Sequence, residues 1–216
     1  MRTWRFSLAA AVIAVCFAHT AAADLVCPDS SYCTVTFSKT YTGSYRTGQP
    51  YDYVTITPEG SGETFASTGI TFKVYLRNCL GAPLVGVPPQ DVVLFHPSLC
   101  LCPGGNIADA PTDINGCTSF SGTIAGGGCI PETSGLMVYV DGILICAPPI
   151  KVNSADAVPA SPCFVDASDI AALAAVLGKQ VGQAGYTICR DLNETGKIDA
   201  SEVAYLASQL GDDCAP

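Results

Sequence analysis

Residues 191–202 read DLNETGKIDASE. Twelve residues in this order form a loop suited to wrapping a hard cation. Asp191, Asn193 and Thr195 offer side-chain oxygens at positions 1, 3 and 5, and Gly196 supplies the sharp turn at position 6. The carbonyl of Lys197 serves at position 7, Asp199 stands at 9 and Glu202 closes the shell at 12. Calcium takes about six to eight oxygens, and this spacing presents them from one short segment. The pattern predicts one Ca²⁺ here. A plainer reading competes with it, in which an Asn/Gly turn caps a helix starting near Asp199 and acids gather there because the helix dipole favours them.

Working upstream, the same pattern returns at an offset of 33 residues. Val165-Asp166-Ala167-Ser168-Asp169-Ile170 matches Ile198-Asp199-Ala200-Ser201-Glu202-Val203, and the match continues through Leu177-Gly178 and Leu210-Gly211. Ile170, Leu173, Ala174 and Leu177 share one helical face, as do Val203, Leu206, Ala207 and Leu210. Gly178 and Gly211 fall where helix C-caps belong. The upstream loop has lost its ligands. Counted back from Asp169, positions 1, 3 and 5 are Val158, Ala160 and Pro162, and Asp156 could serve only in a loop two residues longer. One cation is expected in the pair, in the second repeat.

Two loop–helix units in tandem, with no helix ahead of the loop, resemble a dockerin module over roughly residues 156–214. The resemblance implies a small two-helix fold with calcium loops. It also implies docking onto a cohesin-like β-sandwich partner, often in extracellular polysaccharide-degrading assemblies. Loop positions 10 and 11 carry partner recognition in that family, which points to Ala167, Ser168, Ala200 and Ser201 here. Cys163 lies in the ligand-free loop and Cys189 just before the intact one, so a Cys163–Cys189 disulfide is the expected replacement for the first ion.

The rest of the chain reads differently. Residues 24–152 are rich in Val, Thr, Ile, Tyr and Gly without helical periodicity. Ile70, Phe72, Val74 and Leu76 alternate with Thr71, Lys73, Tyr75 and Arg77, the pattern of a half-buried strand. Residues 54–57 and 92–95 read as further strands. Residues 136–140 and 143–146 flank Asp141-Gly142, a hairpin with a type I′ turn. The Gly- and Cys-rich residues 100–129 are expected to be stapled loops. Gly81, Pro83 and Gly86 follow a strand, and Thr112-Asp113 with Gly116 precede another. That pairing resembles bacterial Ig-like modules of the invasin type, which implies a structural or adhesive sandwich. The expected fold is therefore mainly β: an Ig-like antiparallel β-sandwich (24–152), a linker (153–162, NSADAVPASP) and a two-helix dockerin-like module (163–216).

Residues 1–23 read as a signal peptide, with Arg2 and Arg5 ahead of an apolar run and Ala21-Ala22-Ala23 at the cleavage site. A lipoprotein signal through Cys16 fits less well, since Val15 precedes it. No other run is long enough for a membrane helix. Removing the segment takes the formal charge from −9 to −11, because Arg2 and Arg5 leave and no acid does. So acidic a chain is a poor ligand for nucleic acid. Eleven of the twelve cysteines remain, which predicts disulfides, an oxidising compartment and one odd thiol. The expected location is secreted or on the cell surface, of bacterial type.

Catalytic patterns are sparse. His96 is the one histidine after residue 23, and no nucleophile motif surrounds it. Carboxylates that could run glycoside hydrolysis, such as Asp52, Glu59 and Glu63, are not paired by any spacing. A zinc site at Cys100, Cys102, Cys117 and Cys129 competes with disulfides. Tyr41, Tyr45, Tyr51 and Tyr53 could form a sugar platform or simply pack across strands. The sequence favours a non-catalytic attachment or assembly protein. The alternative is an accessory protein of extracellular polysaccharide degradation, binding or hydrolysing glycan.

Overall fold

The computed structural model describes residues 25–42, 45–131, 133–157 and 163–214. The expected targeting segment lies outside them, as do Val158, Ala160 and Pro162 of the upstream loop.

The chain is mainly β, in several small sheets. The strands are β1 (Tyr32–Phe37), β2 (Tyr53–Ile56), β3 (Ile70–Tyr75), β4 (Val92–Phe95) and β5 (Leu99–Leu101). They continue with β6 (Cys117–Phe120), β7 (Gly126–Gly128), β8 (Met137–Val140), β9 (Ile143–Cys146) and β10 (Lys151–Ser154). Antiparallel sheets run β1-β3-β6, β4-β8-β9 and β5-β7, while β10 pairs with β2 in parallel.

Local sequence explains several of these elements. Along β3, Ile70, Phe72 and Val74 are buried while Thr71 and Lys73 are exposed, so the period of two sets which face meets the core. Between β8 and β9, Asp141 and Gly142 take φ of 50° and 79°, as a type I′ turn requires. The turn at Gly81–Gly86 and the turn at Thr112–Gly116 touch. The buried Thr112 hydroxyl donates to the Leu84 carbonyl at 2.6 Å and accepts from Val87 N at 2.9 Å. A short helix α1 (Phe65–Thr68), capped by Thr64, drops Phe65 onto Phe72, whose ring lies 5.2 Å from that of Phe120. These rings join Ile56, Leu76, Leu94, Ile124 and Leu136 in one apolar core.

Residues 100–129 are more ordered than stapled loops, because β5, β6 and β7 lie in or across them. The three glycines of β7 are all buried. A Cβ on Gly126 would strike the Cys100 carbonyl, and one on Gly127 would strike the Asp156 carboxylate. Only a strand without side chains fits between those two neighbours.

The segment read as a linker starts as structure. Asn153 and Ser154 belong to β10, and Asn153, Ser154, Ala155 and Asp156 are all buried. Their small polar side chains suggest a solvated tether, but pairing with β2 buries them.

The C-terminal residues form helices α2 (Ala167–Ala174) and α3 (Ala200–Ser208). Asp166 and Asp199 cap them, and Asp169 and Glu202 complete the two capping boxes. The duplication is visible in space. Gly178 N donates to Ile198 O at 2.8 Å, and Gly211 N donates to Val165 O at 2.9 Å. Ile198 N donates to Lys179 O, and Val165 N donates to Asp212 O. Each bond maps onto its partner under the 33-residue offset, so each repeat closes the other. The helices stop before the expected glycines, at Ala175 and Gln209. Gly178 and Gly211, at φ of 81° and 95°, instead turn the chain back into these bonds.

The expected Cys163–Cys189 disulfide does not form. The cystines are Cys27–Cys79, Cys33–Cys146, Cys100–Cys163, Cys102–Cys214 and Cys129–Cys189, and Cys117 is the free thiol among the described residues. Three of them join the helical repeat to the β-rich part. The repeats already hold each other through backbone bonds, so Cys163 and Cys189 are free to reach across to β5 and to the residue after β7. Zinc at Cys100, Cys102, Cys117 and Cys129 is overturned by the same pairing, since three of these sulfurs are spent in disulfides.

Candidate metal centre

The loop at 191–202 is shaped by its own side chains. Asp191 Oδ1 accepts from Thr195 N at 3.0 Å, and Oδ2 accepts from Gly196 N at 2.6 Å and from the Tyr186 hydroxyl at 2.7 Å. Gly196 takes φ of 89° and Glu194 takes 58°, so the chain turns tightly at positions 4 and 6. Thr195 Oγ1 donates to the Lys197 carbonyl at 3.3 Å. Glu202 Oε2 accepts from Asp199 N at 2.7 Å.

Charge is concentrated inside the loop. Asp191 and Glu202 are 0% and 1% exposed. Burial is the main reason that both carboxyls are pushed up from their ordinary values, and the Asp191 charge adds to the shift at Glu202. Neither takes part in an ion pair among the described residues. Asp199 differs. It faces Ser201 N and the exposed Lys197, and the Ser201 backbone hydrogen bond holds its carboxyl below the usual range.

The donor set fits a hard cation in type, since Asp191, Asn193, Thr195, Lys197, Asp199 and Glu202 all supply oxygens. The carboxylates of Asp191, Asp199 and Glu202 do not form one convergent cluster as they stand. The convergent groups of possible ligands among the described residues are cysteine-centred: the disulfide sulfurs of Cys102, Cys163 and Cys214, and those of Cys100 and Cys163 with Asp156.

The loop is clamped from outside, which the sequence did not disclose. Cys189, two residues ahead of Asp191, is bonded to Cys129. Ile188 packs with the buried Tyr41 and Tyr53. A Cβ on Gly196 would meet the Tyr45 ring at 2.9 Å, and that ring stands edge-on to Tyr186 at 6.4 Å. The sugar platform is thus overturned for Tyr41 and Tyr53, which are buried under the C-terminal repeat. A run of tyrosines at an inter-element contact looks the same in sequence as a run on a free sheet.

The described residues of the upstream repeat make a different set of contacts. Asp169 Oδ2 accepts from Asp166 N, as Glu202 does from Asp199, and Asp169 Oδ1 accepts from Ala157 N at 2.9 Å. Asp156 is 0% exposed beside it. Burial first, and the neighbouring Asp169 charge second, push the Asp156 carboxyl up to about 7, against the pull of Arg190. The folded state therefore holds this proton after the unfolded chain has lost it. Stability from this group is full below the ordinary carboxylate range and is lost as pH rises from about 4 through 7. Asp156→Asn is expected to remove about 2 kcal/mol of that decline. Chemical unfolding of both proteins from pH 4 to 8 measures it, and parallel pH profiles would refute the assignment.

Ala167, Ser168, Ala200 and Ser201 lie exposed in the first turns of α2 and α3. His96 is buried, its Nδ1 accepting from Ser98 N at 3.1 Å. Glu194, at a position that binds no ion in such loops, is only 2% exposed. No helix among the described residues is long and apolar enough to cross a membrane. Neither a protein-family model nor a curated protein matches this chain.

Proposed function

We propose that this is a secreted, non-catalytic, calcium-binding docking protein, in which an Ig-like β part carries a dockerin-like repeat. The observation that carries the docking half is an apolar groove of about 230 Å³ between α2 and α3, lined by Ile170, Leu173, Leu177, Val203 and Leu206. Ile170, Leu177 and Val203 are 40%, 49% and 40% exposed. Both repeats contribute equivalent residues, and such a patch marks an interaction face. The exposed helix starts at Ala167-Ser168 and Ala200-Ser201 flank it, which suits a cohesin-like partner. The calcium half rests on two buried carboxylates, Asp191 and Glu202, that accept hydrogen bonds but have no cationic partner among the described residues. Burying them together is costly unless a cation compensates.

Docking predicts that Val203→Glu abolishes partner capture from secreted proteins of the source culture, and that chelation weakens it. The change lies on the exposed side of α3, so circular dichroism should be unaltered. Capture that survives both treatments would reject this surface.

A further inference from the structure

Two of the cross-links between the repeat and the β part lie side by side. Cys100–Cys163 starts from β5, and Cys102–Cys214 starts from the residue after it. The sulfurs of Cys102, Cys163 and Cys214 all lie within 4.8 Å of one another, so the Cys163 end of the first bond sits against both sulfurs of the second. Cys163 and Cys214 also face each other along the backbone. Phe164 and Asp213 form an antiparallel bridge, Val165 N donates to Asp212 O at 3.0 Å, and Cys163 and Cys214 stand one step outward on the two chains. Residues directly opposed in antiparallel chains lie about 4.5–5.5 Å apart at Cα, inside the roughly 4.4–6.8 Å that a disulfide spans. A Cys163–Cys214 bond therefore asks little of the backbone.

Asp156 is the remaining neighbour. It is 0% exposed, and its Oδ2 lies 3.2 Å from Cys100 Sγ. A disulfide sulfur carries no hydrogen, so Cys100 can donate across that contact only as a thiol. Cys100 and Cys214 are part-exposed, whereas Cys102 and Cys163 are 5% and 2% exposed. Each bond thus offers one of its two ends to an incoming thiol. We propose that a dithiol reductant converts these two bonds into one Cys163–Cys214 disulfide and two free thiols, Cys100 and Cys102, and so unlatches the repeat from β5. The first thiolate of the reductant attacks Cys100 Sγ, a mixed disulfide forms and Cys163 leaves as a thiolate. Cys163 attacks the Cys214 sulfur, which closes Cys163–Cys214 and releases Cys102. The second thiol of the reductant displaces Cys100 and becomes a disulfide with the first. Two electrons pass from the reductant to the protein, and its two protons end on Cys100 and Cys102. The Cys100 thiol then donates to Asp156. Of the three cross-links from the repeat to the β part, Cys129–Cys189 alone remains.

Treating the oxidised full chain with one equivalent of dithiothreitol, trapping with iodoacetamide and mapping the peptides by mass spectrometry follows the exchange. The expected product carries label on Cys100 and Cys102 as well as on Cys117, has Cys163 joined to Cys214, and keeps Cys129–Cys189. Cys100→Ser/Cys102→Ser, oxidised and never reduced, is expected to hold the Cys163–Cys214 bond directly and to leave both cysteines unlabelled. The proposal fails if Cys100–Cys163 opens while Cys102–Cys214 stays closed. It fails equally if Cys163 and Cys214 take up label in either chain, or if Cys129–Cys189 opens ahead of both bonds. The native chain alone decides the matter should the double variant not fold.

Discussion

Replacing Cys129 and Cys189 together by serine is expected to cost about 4 kcal/mol of unfolding free energy. It should also loosen the loop at residues 191–202 selectively. The two residues are 60 apart in sequence, so the cross-link removes a large loop's worth of freedom from the unfolded chain. The folded chain loses more than that. Cys189 lies in a short 3₁₀ turn, Ile188–Arg190, that delivers Asp191 into the loop and seats Ile188 on Tyr41 and Tyr53. Guanidinium unfolding gives the global number, and hydrogen exchange at Thr195 and Gly196 amides gives the local one. Unchanged exchange at those two amides would show that the tyrosine contacts hold the loop unaided. The same preparations settle the odd thiol, since alkylation without reduction should label Cys117 and no other cysteine among the described residues.

Features governed by near neighbours were legible in the sequence. The β3 alternation, the Asp141-Gly142 turn, the two capping boxes and the 33-residue repeat each depend on a few consecutive residues. Features set by distant contacts were not legible. Eleven cysteines allow many pairings, and spacing alone put Cys163 with Cys189 because both lie near the loops. Backbone bonds exchanged between Val165 and Gly211, and between Ile198 and Gly178, make that cross-link unnecessary. Asn153 and Ser154 read as a tether because small polar residues usually meet water, yet β10 buries them against β2. Glu194 is the sharpest case. As position 4 of a calcium loop it has no assigned task, and nothing local signals that an acid there is buried. Its environment is made by Tyr41, Tyr51 and Glu63, some 130 to 150 residues earlier.

The clamps on the loop change what calcium should do. In a repeat held only by its own two helices, the ion orders the loops and folding waits on it. Here Cys129–Cys189, Cys100–Cys163 and Cys102–Cys214 already fix the repeat to the β part. Chelation of the oxidised chain is therefore expected to leave α3 folded. It should remove only the mass-action term, about 2.7 kcal/mol when calcium stands at a hundred times its dissociation constant. Chelation of the Cys129→Ser/Cys189→Ser chain should instead melt the helical signal of the repeat. Glu202→Gln separates the ion's effect from any other. It keeps the side-chain volume but removes the closing charge, and is expected to weaken calcium binding by at least about a hundredfold. Because Glu202 also accepts from Asp199 N, the variant retains an oxygen for that bond, so α3 should keep its start. Calorimetry with calcium, run beside circular dichroism on the three chains, decides the matter. Equal calcium affinity in Glu202→Gln and the native chain would reduce residues 191–202 to a helix cap and turn.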